Sequence, residues 1–191
     1  RLDAVLPHVG VARALSLDSQ PSAARRAGGQ ALCRCPRVAR SVGGAEAVKG
    51  YLAAHSLRET EPDEDGYWGE TEASPEDVAQ LLAGLIESEG IDEQYRSIAV
   101  GLMLQAVDWS GGWGAVSGIP EAPALKVYTG AKDGWYPADE GWWVNSAGFI
   151  LPDHARPPYA LAILTNGQPS VEYGATTVHE IAAHIHEQMM R

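Results

Sequence analysis

The sequence predicts an α+β fold in which helices pack against an antiparallel sheet, and three observations carry that expectation. Three strand-like runs follow one another, Leu125–Trp135, Gly141–Leu151 and Tyr159–Thr165, with no helix-length connection between them. Helical patterns precede them, and a further helical stretch, Val171–Met190, closes the chain. Strands joined by short turns pair antiparallel, and flanking helices then cover the sheet. The length of 191 residues suits one domain, and 45% hydrophobic with 20% charged residues is an ordinary globular composition.

Residues 1–40 show no sustained period of 3.6 or 2. Asp3–Leu17 has the Ala, Leu and Val content of a short helix, interrupted by Pro7 and Gly10. Residues 1–43 carry seven Arg against two Asp, a charge of +5, whereas the remainder carries −16 of the total −11. That shift places a boundary near Gly43-Gly44 and divides the chain into an atypical basic segment, 1–42, and a domain, 43–191. Cys33 and Cys35 form a Cys-Arg-Cys triplet, too close for an easy disulfide and only half of a four-ligand zinc site, so they read as incidental thiols.

After Gly43-Gly44, the stretch AEAVKGYLAAHSL presents Val48, Tyr51, Leu52 and Leu57 as a helical face. An acidic loop, Arg58–Glu70, follows. Ser74-Pro75-Glu76-Asp77 has the signature of a helix start, with Ser as N-cap, Pro in the first turn and acids beside it. The helix it opens puts Val78, Leu81, Leu82, Leu85 and Ile86 toward a core. A second, about Asp92–Val107, spaces Ile98, Leu102 and Gln105 on one face and ends in the Gly/Trp loop 108–114. Turns are expected at Ala131–Glu140, at Pro152–Pro158 and at Asn166-Gly167.

A net charge of −11 argues against nucleic acid and anionic membrane surfaces as partners. No run approaches the roughly 20 apolar residues that span a bilayer. The C-terminal helix holds His179-Glu180-Ile181-Ala182-Ala183-His184, which looks like a zinc-peptidase motif. Its second His is one residue too far along: at about 100° per residue, five residues put the two rings about 140° apart. His179, His184 and His186 therefore read as surface histidines near a helix C-terminus, and neither metal nor cofactor is expected. Gly111-Gly112-Trp113-Gly114 neither follows a clear strand nor opens a helix, so it is no phosphate loop. The acidic run 59–65 lacks the spaced ligands of a calcium loop and reads as solvated.

Lys132-Asp133-Gly134-Trp135 remains, ending the first strand. With two strands and a helix behind it, this stretch resembles the Lys-Thr-Gly strand of the serine β-lactamases and penicillin-binding proteins. The resemblance runs from about Arg40 to Arg191. It includes Gly43-Gly44-Ala45-Glu46-Ala47-Val48 with Tyr51-Leu52, Glu70–Pro75 with Val78-Ala79, Trp113-Gly114, Val144–Gly148 and Ala162–Thr165. It implies a β-lactamase/transpeptidase-like α+β fold whose N-terminal part is incomplete. The implied activity is amide or ester hydrolysis through an acyl-serine, on a small-molecule or peptide substrate, in a secreted or cell-envelope protein. Lys132 would then offer positive charge, Gly134 close approach of substrate, and the Trp135 backbone N–H one oxyanion donor. Asp133, where the family usually has a hydroxyl, would touch substrate and repel a penicillin-like carboxylate.

The family's nucleophile motif, Ser-x-x-Lys, is missing: no serine in the chain is followed three residues on by lysine. Ser-Asp-Asn is also missing, and Glu59 and Glu61 are the nearest acids to an omega-loop glutamate. The expectation is a truncated or frame-shifted relative that is inactive alone, with a sheet edge left bare by missing early strands. A non-catalytic binding or scaffold domain that keeps the fold is the alternative.

Overall fold

The computed structural model describes residues 10–11, 15–17, 43–64, 69, 71–87, 91–109, 112–120, 126–153 and 156–190. Their order is β1 (Gly10–Val11), β2 (Leu15–Leu17), α1 (Gly44–Ala54), α2 (Pro75–Glu87), α3 (Glu93–Trp109), β3 (Val127–Ala138), β4 (Gly141–Pro152), β5 (Tyr159–Gln168) and α4 (Val171–Met189). β3, β4 and β5 form the expected antiparallel meander. The expected helices stand before and after it, so the architecture is α+β.

Side chains alternate across the strands and divide the core in two. On one face Val144 and Ile150 of β4 and Tyr159, Leu161 and Ile163 of β5 pack with Val178 and Ala182 of α4 and with Ala115 and Val116 of the α3–β3 connection. On the other, Phe149, Leu151 and Ala160 pack with Leu82, Leu85 and Ile86 of α2 and Val100 of α3. The sheet is thus a middle layer. Ser74 caps α2 by accepting the Asp77 N–H at 3.1 Å, and Ser170 caps α4 by accepting the Tyr173 N–H at 3.1 Å. The buried Asp77 carboxylate holds down part of the acidic loop, accepting the Glu59 N–H and the Thr60 hydroxyl at 2.8 Å each. Glu61 pairs backbone-to-backbone with Glu72 across the same loop, so this stretch is anchored rather than merely solvated.

Several expectations need correction. Gly10–Val11 and Leu15–Leu17 are strands, not part of a helix, and both run parallel to β5. Ladder bonds along an open edge satisfy more backbone than a helix interrupted by proline and glycine. The outer edge of β5 is therefore partly occupied, and among the described residues the free edge of the path β1-β5-β4-β3 belongs to β3. The rest of Asp3–Leu17, Cys33 and Cys35 lie outside the described residues.

The first hairpin turn is much shorter than Ala131–Glu140. β3 continues to Ala138 and reverses at Asp139-Glu140, so Lys132–Trp135 sits mid-strand. Cross-strand pairs Tyr136–Trp143 and Pro137–Trp142 extend the ladder past the glycine. β5 likewise runs through Asn166-Gly167 to Gln168.

The face chosen for α3 is the wrong one. Ile98 and Leu102 are 54% and 61% exposed, and Leu81 of α2 is exposed as well. α3 instead faces inward through Val100 and Arg96. The Arg96 guanidinium grips both Glu93 carboxylate oxygens, at 2.8 and 3.0 Å, and reaches the Ile86 carbonyl at the end of α2. A long cationic stem thus fills a position the periodicity assigns to solvent.

Two glycines of β3 make a direct test of the packing. A Cβ at Gly130 would lie 2.3 Å from the ring of the fully buried Phe149, whereas one at Gly134 meets nothing within 4 Å. Gly130→Ala is expected to cost ~1–3 kcal/mol by overpacking, and Gly134→Ala to stay within about 0.5 kcal/mol of the parent. Urea midpoints of the two variants check both.

Candidate functional site

Among the described strands β3 lies at the edge of the sheet, and this decides what Lys132–Trp135 can present. In an antiparallel pair, the N–H and C=O of alternate residues point toward the partner, and the others point away. The Asp153 N–H donates to the Lys126 carbonyl at 2.8 Å, so even-numbered residues of β3 face β4. The Asp133 carbonyl accepts a bond from Lys132 Nζ, consistent with odd-numbered carbonyls pointing off the sheet. Pro137, which has no N–H, falls in the outward set, where no ladder donor is lost. The Trp135 N–H is outward by the same alternation.

Side chains alternate too. Lys132 lies opposite Ala147 and Gly134 opposite Asn145, on the face that carries Phe149 and looks toward α2 and α3. Lys132 is exposed, and the space over Gly134 is open. Asp133 lies opposite Ser146 on the α4 face. Trp135 shares that face, 52% exposed, with its ring centroid 6.3 Å from that of Trp113.

The Asp133 carboxylate is anchored there rather than free. Oδ1 accepts the Ser146 hydroxyl at 2.5 Å, and Ser146 Oγ accepts the Ala115 N–H at 2.6 Å. The Ala115 carbonyl in turn accepts from His186 Nε2 at 2.9 Å, and Tyr159 OH meets His186 Nδ1 at 2.6 Å. The acceptor on one ring nitrogen fixes the tautomer: Nε2 carries the proton, and Nδ1 takes the phenol's. Gly114 has φ +111°, and a Cβ there would lie 2.7 Å from Asp133 Oδ1 and 2.9 Å from Ser146 Oγ. Only glycine lets the connection pass this close. The connection has a second brace, since Ser117 Oγ donates to the Gly114 carbonyl and contacts His179 Nδ1 at 2.9 Å.

These contacts revise the histidine expectations. His186 is fully buried, not a surface residue. Gly174, Val178, Ala182 and His186 recur every four residues and form the buried stripe of α4, a spacing the sequence displays. His179 turns to Ser117, while His184 is exposed beside Gln188. Among the described residues, no three His, Cys, Asp or Glu side chains converge as a metal-binding group. No described helix is long and apolar enough to cross a membrane. Glu61 pairs with Lys49 at 2.7 Å and Glu59 bonds Asp77 through its N–H, and no described contact brings either acid to β3.

Residues 37–189 match the β-lactamase enzyme family. The chain belongs to that family. Solved structures similar to it include the ancestral class A β-lactamase GNCA (TM-score 0.63, 18% identity, covering 80% of this chain and 58% of that one). A β-lactamase from Francisella tularensis (0.63, 15%, 81% and 59%) and one from Xanthomonas campestris (0.62, 17%, 80% and 56%) are also similar. This β-lactamase-family chain therefore spans 56–59% of the length of those structures. No curated protein matches its sequence. The expected β-lactamase-like α+β fold is the one it has.

The site's electrostatics follow from burial. Burial pushes the Asp133 carboxyl above its ordinary value, while the Ser146 hydroxyl and the Lys132 charge pull it back. Burial pushes the Tyr159 phenol upward. Burial also holds His186 down at about 4, against the Ala115 carbonyl, which favours the protonated ring. Between about 6.5 and 4 the unfolded chain takes a proton at this His that the folded chain refuses. Stability from this group is thus complete above about pH 6.5 and is lost as pH falls toward 4, a difference on the order of 3 kcal/mol. Denaturation at a series of pH values should show a steeper slope across that window for the parent than for His186→Phe.

Proposed function

We propose that the free edge of β3 is the substrate-binding and oxyanion side of an acyl-serine hydrolase site, acting on an amide or ester of a small molecule or peptide. The observation that carries this reading is the outward Trp135 N–H beside the open space over Gly134. An oxyanion donor must sit on fixed backbone with nothing between it and the reacting carbonyl. Gly134 lets a substrate lie along the strand, and the exposed Lys132 ammonium supplies positive charge on the same face. Family membership supports the chemistry, and the strand's register supports the roles of Lys132, Gly134 and Trp135.

In this reading Asp133 contributes to recognition by charge. Its carboxylate, held on the α4 side of the strand, offsets Lys132 and disfavours a ligand carboxylate of the penicillin kind. Residues 43–191 make up the β-lactamase-like unit, and 1–42 are a segment of different character. Without Ser-x-x-Lys the 191 residues have no acylating serine, so this chain binds and does not turn over. The missing motif also favours the second reading, a non-catalytic binding domain of the same fold.

A fluorescent penicillin should leave no covalent label on this chain after denaturing electrophoresis; a stable label would overturn the inactivity. Binding at the edge is read by the Trp135 amide resonance during titration with N-acetylalanine. Lys132→Ala should weaken that binding about fivefold and Asp133→Asn strengthen it by a similar factor, each on the scale of a part-exposed charge contact of ~1 kcal/mol. If the Trp135 resonance stays fixed with N-acetylalanine and with its neutral amide alike, the edge is not a binding site.

A further inference from the structure

We propose that His186 is a positioning residue for the Asp133 carboxyl group, acting through Ala115 and Ser146. The path is continuous. The His186 imidazole donates to the Ala115 carbonyl at 2.9 Å, the Ala115 N–H donates to Ser146 Oγ at 2.6 Å, and the Ser146 hydroxyl donates to Asp133 Oδ1 at 2.5 Å. Every donor in this chain points the same way, from the interior toward the strand edge. At the inner end, the Tyr159 hydroxyl meets Nδ1 at 2.6 Å and completes the ring's bonding.

Burial and steric closeness keep the path rigid. Tyr159, His186, Ala115 and Ser146 are all at or below 1% exposure, so water offers no competing partner. Gly114 and Val116 flank Ala115 in tight contact with the sheet. The open side of Gly114 meets Asp133 and Ser146, and Val116 meets the open side of Gly148. Ala115 therefore cannot shift toward α4 or away from it without moving Ser146, and Ser146 cannot turn without releasing Asp133. The network joins β5, α4, the α3–β3 connection, β4 and β3, and its outer end is the residue beside Lys132. The groups facing Asp133 are Ser146 of β4, Gly114 of the connection and Lys132 of its own strand; those facing His186 are Tyr159 of β5 and Ala115. Lys132 is the charged group among them, and it lies at the outer end.

The functional meaning rests on the reading of β3 as a binding edge, but the coupling does not, so the two are tested apart. In the unmodified chain, carboxyl 13C resonances titrate Asp133, identified by its loss in Asp133→Asn, while ring 15N resonances report His186. Because coupling is reciprocal, the His186 ring signals should show a second inflection at the Asp133 titration. Signals flat through that titration overturn the proposal. In His186→Leu, which leaves the Ala115 carbonyl without its donor, Ser146 loses its fixed hold on the carboxylate and the Asp133 midpoint should move further up, away from the ordinary carboxylate value. His186→Gln, which keeps a donor, should restore most of the difference. A Leu variant that melts earlier yet titrates Asp133 unchanged would make His186 merely structural and sink the idea. Coupling intact with no N-acetylalanine binding supports this proposal and counts against the proposed function alone.

Discussion

The backbone of Ala115 is the constraint on which the arrangement around β3 depends. Its N–H goes to the sheet through Ser146 and its C=O to α4 through His186. Each of these groups is buried, and an unpaired buried donor or acceptor costs roughly 1–3 kcal/mol, so both bonds must form together. That requirement fixes how far α4 stands from β4 and where the connection out of α3 crosses. Gly118 follows from the same closeness, since a Cβ there would lie 2.6 Å from the Ala183 Cβ. The small residues of this stretch are the consequence of a clamp that brings backbone within reach of both layers.

The sheet treats its two outer strands differently. β5 is buried on both faces and has β1 and β2 beside it, so its ladder groups are partly used. Among the described residues β3 has no strand on its outer side, and an open edge invites pairing with other chains. An exposed lysine and a proline whose ring occupies an outward position oppose such pairing. Between them the Asp133 carbonyl is taken by Lys132 Nζ, and the outward backbone groups of Trp135 face the edge.

Much of this was legible in the sequence. The three strands, α2 with its Ser74 cap and α4 with its length all follow from local pattern, because turns and caps are chemistry of neighbouring residues. The choice of face on α3 was not legible. Ile98 and Leu102 have the spacing of a core stripe, but burial is decided by Arg96, whose charge is satisfied by Glu93 and by the end of α2, contacts fixed only by the fold. His186 failed for the same reason: a histidine reads as polar until its two partners, 27 and 71 residues away, are known. Lys132–Trp135 was found, but as a strand end. The turn expected at Ala131–Glu140 cuts the strand short, and the cross-strand aromatic pair that carries it onward acts only once the register is set.

The register also explains how one short stretch can be both anchored and available. Along β3 the even residues give their backbone to β4 and their side chains to the α2/α3 face. The odd residues do the reverse: backbone to the free edge, side chains to the α4 face. Asp133 is odd, so fastening its carboxylate to Ser146 and the Ala115 clamp immobilises the residue whose backbone faces outward. Trp135, two places on, shares that geometry, and its indole rests near Trp113 of the same connection. An outward N–H held in this way has little conformational freedom left to lose. A hydroxyl at 133 would hold the strand by one neutral bond; the acid holds it by a charge-assisted one and leaves a negative charge beside the edge. The fixed position of the outward backbone and the negative charge beside the edge thus come from the same side chain, and neither can be changed there without the other.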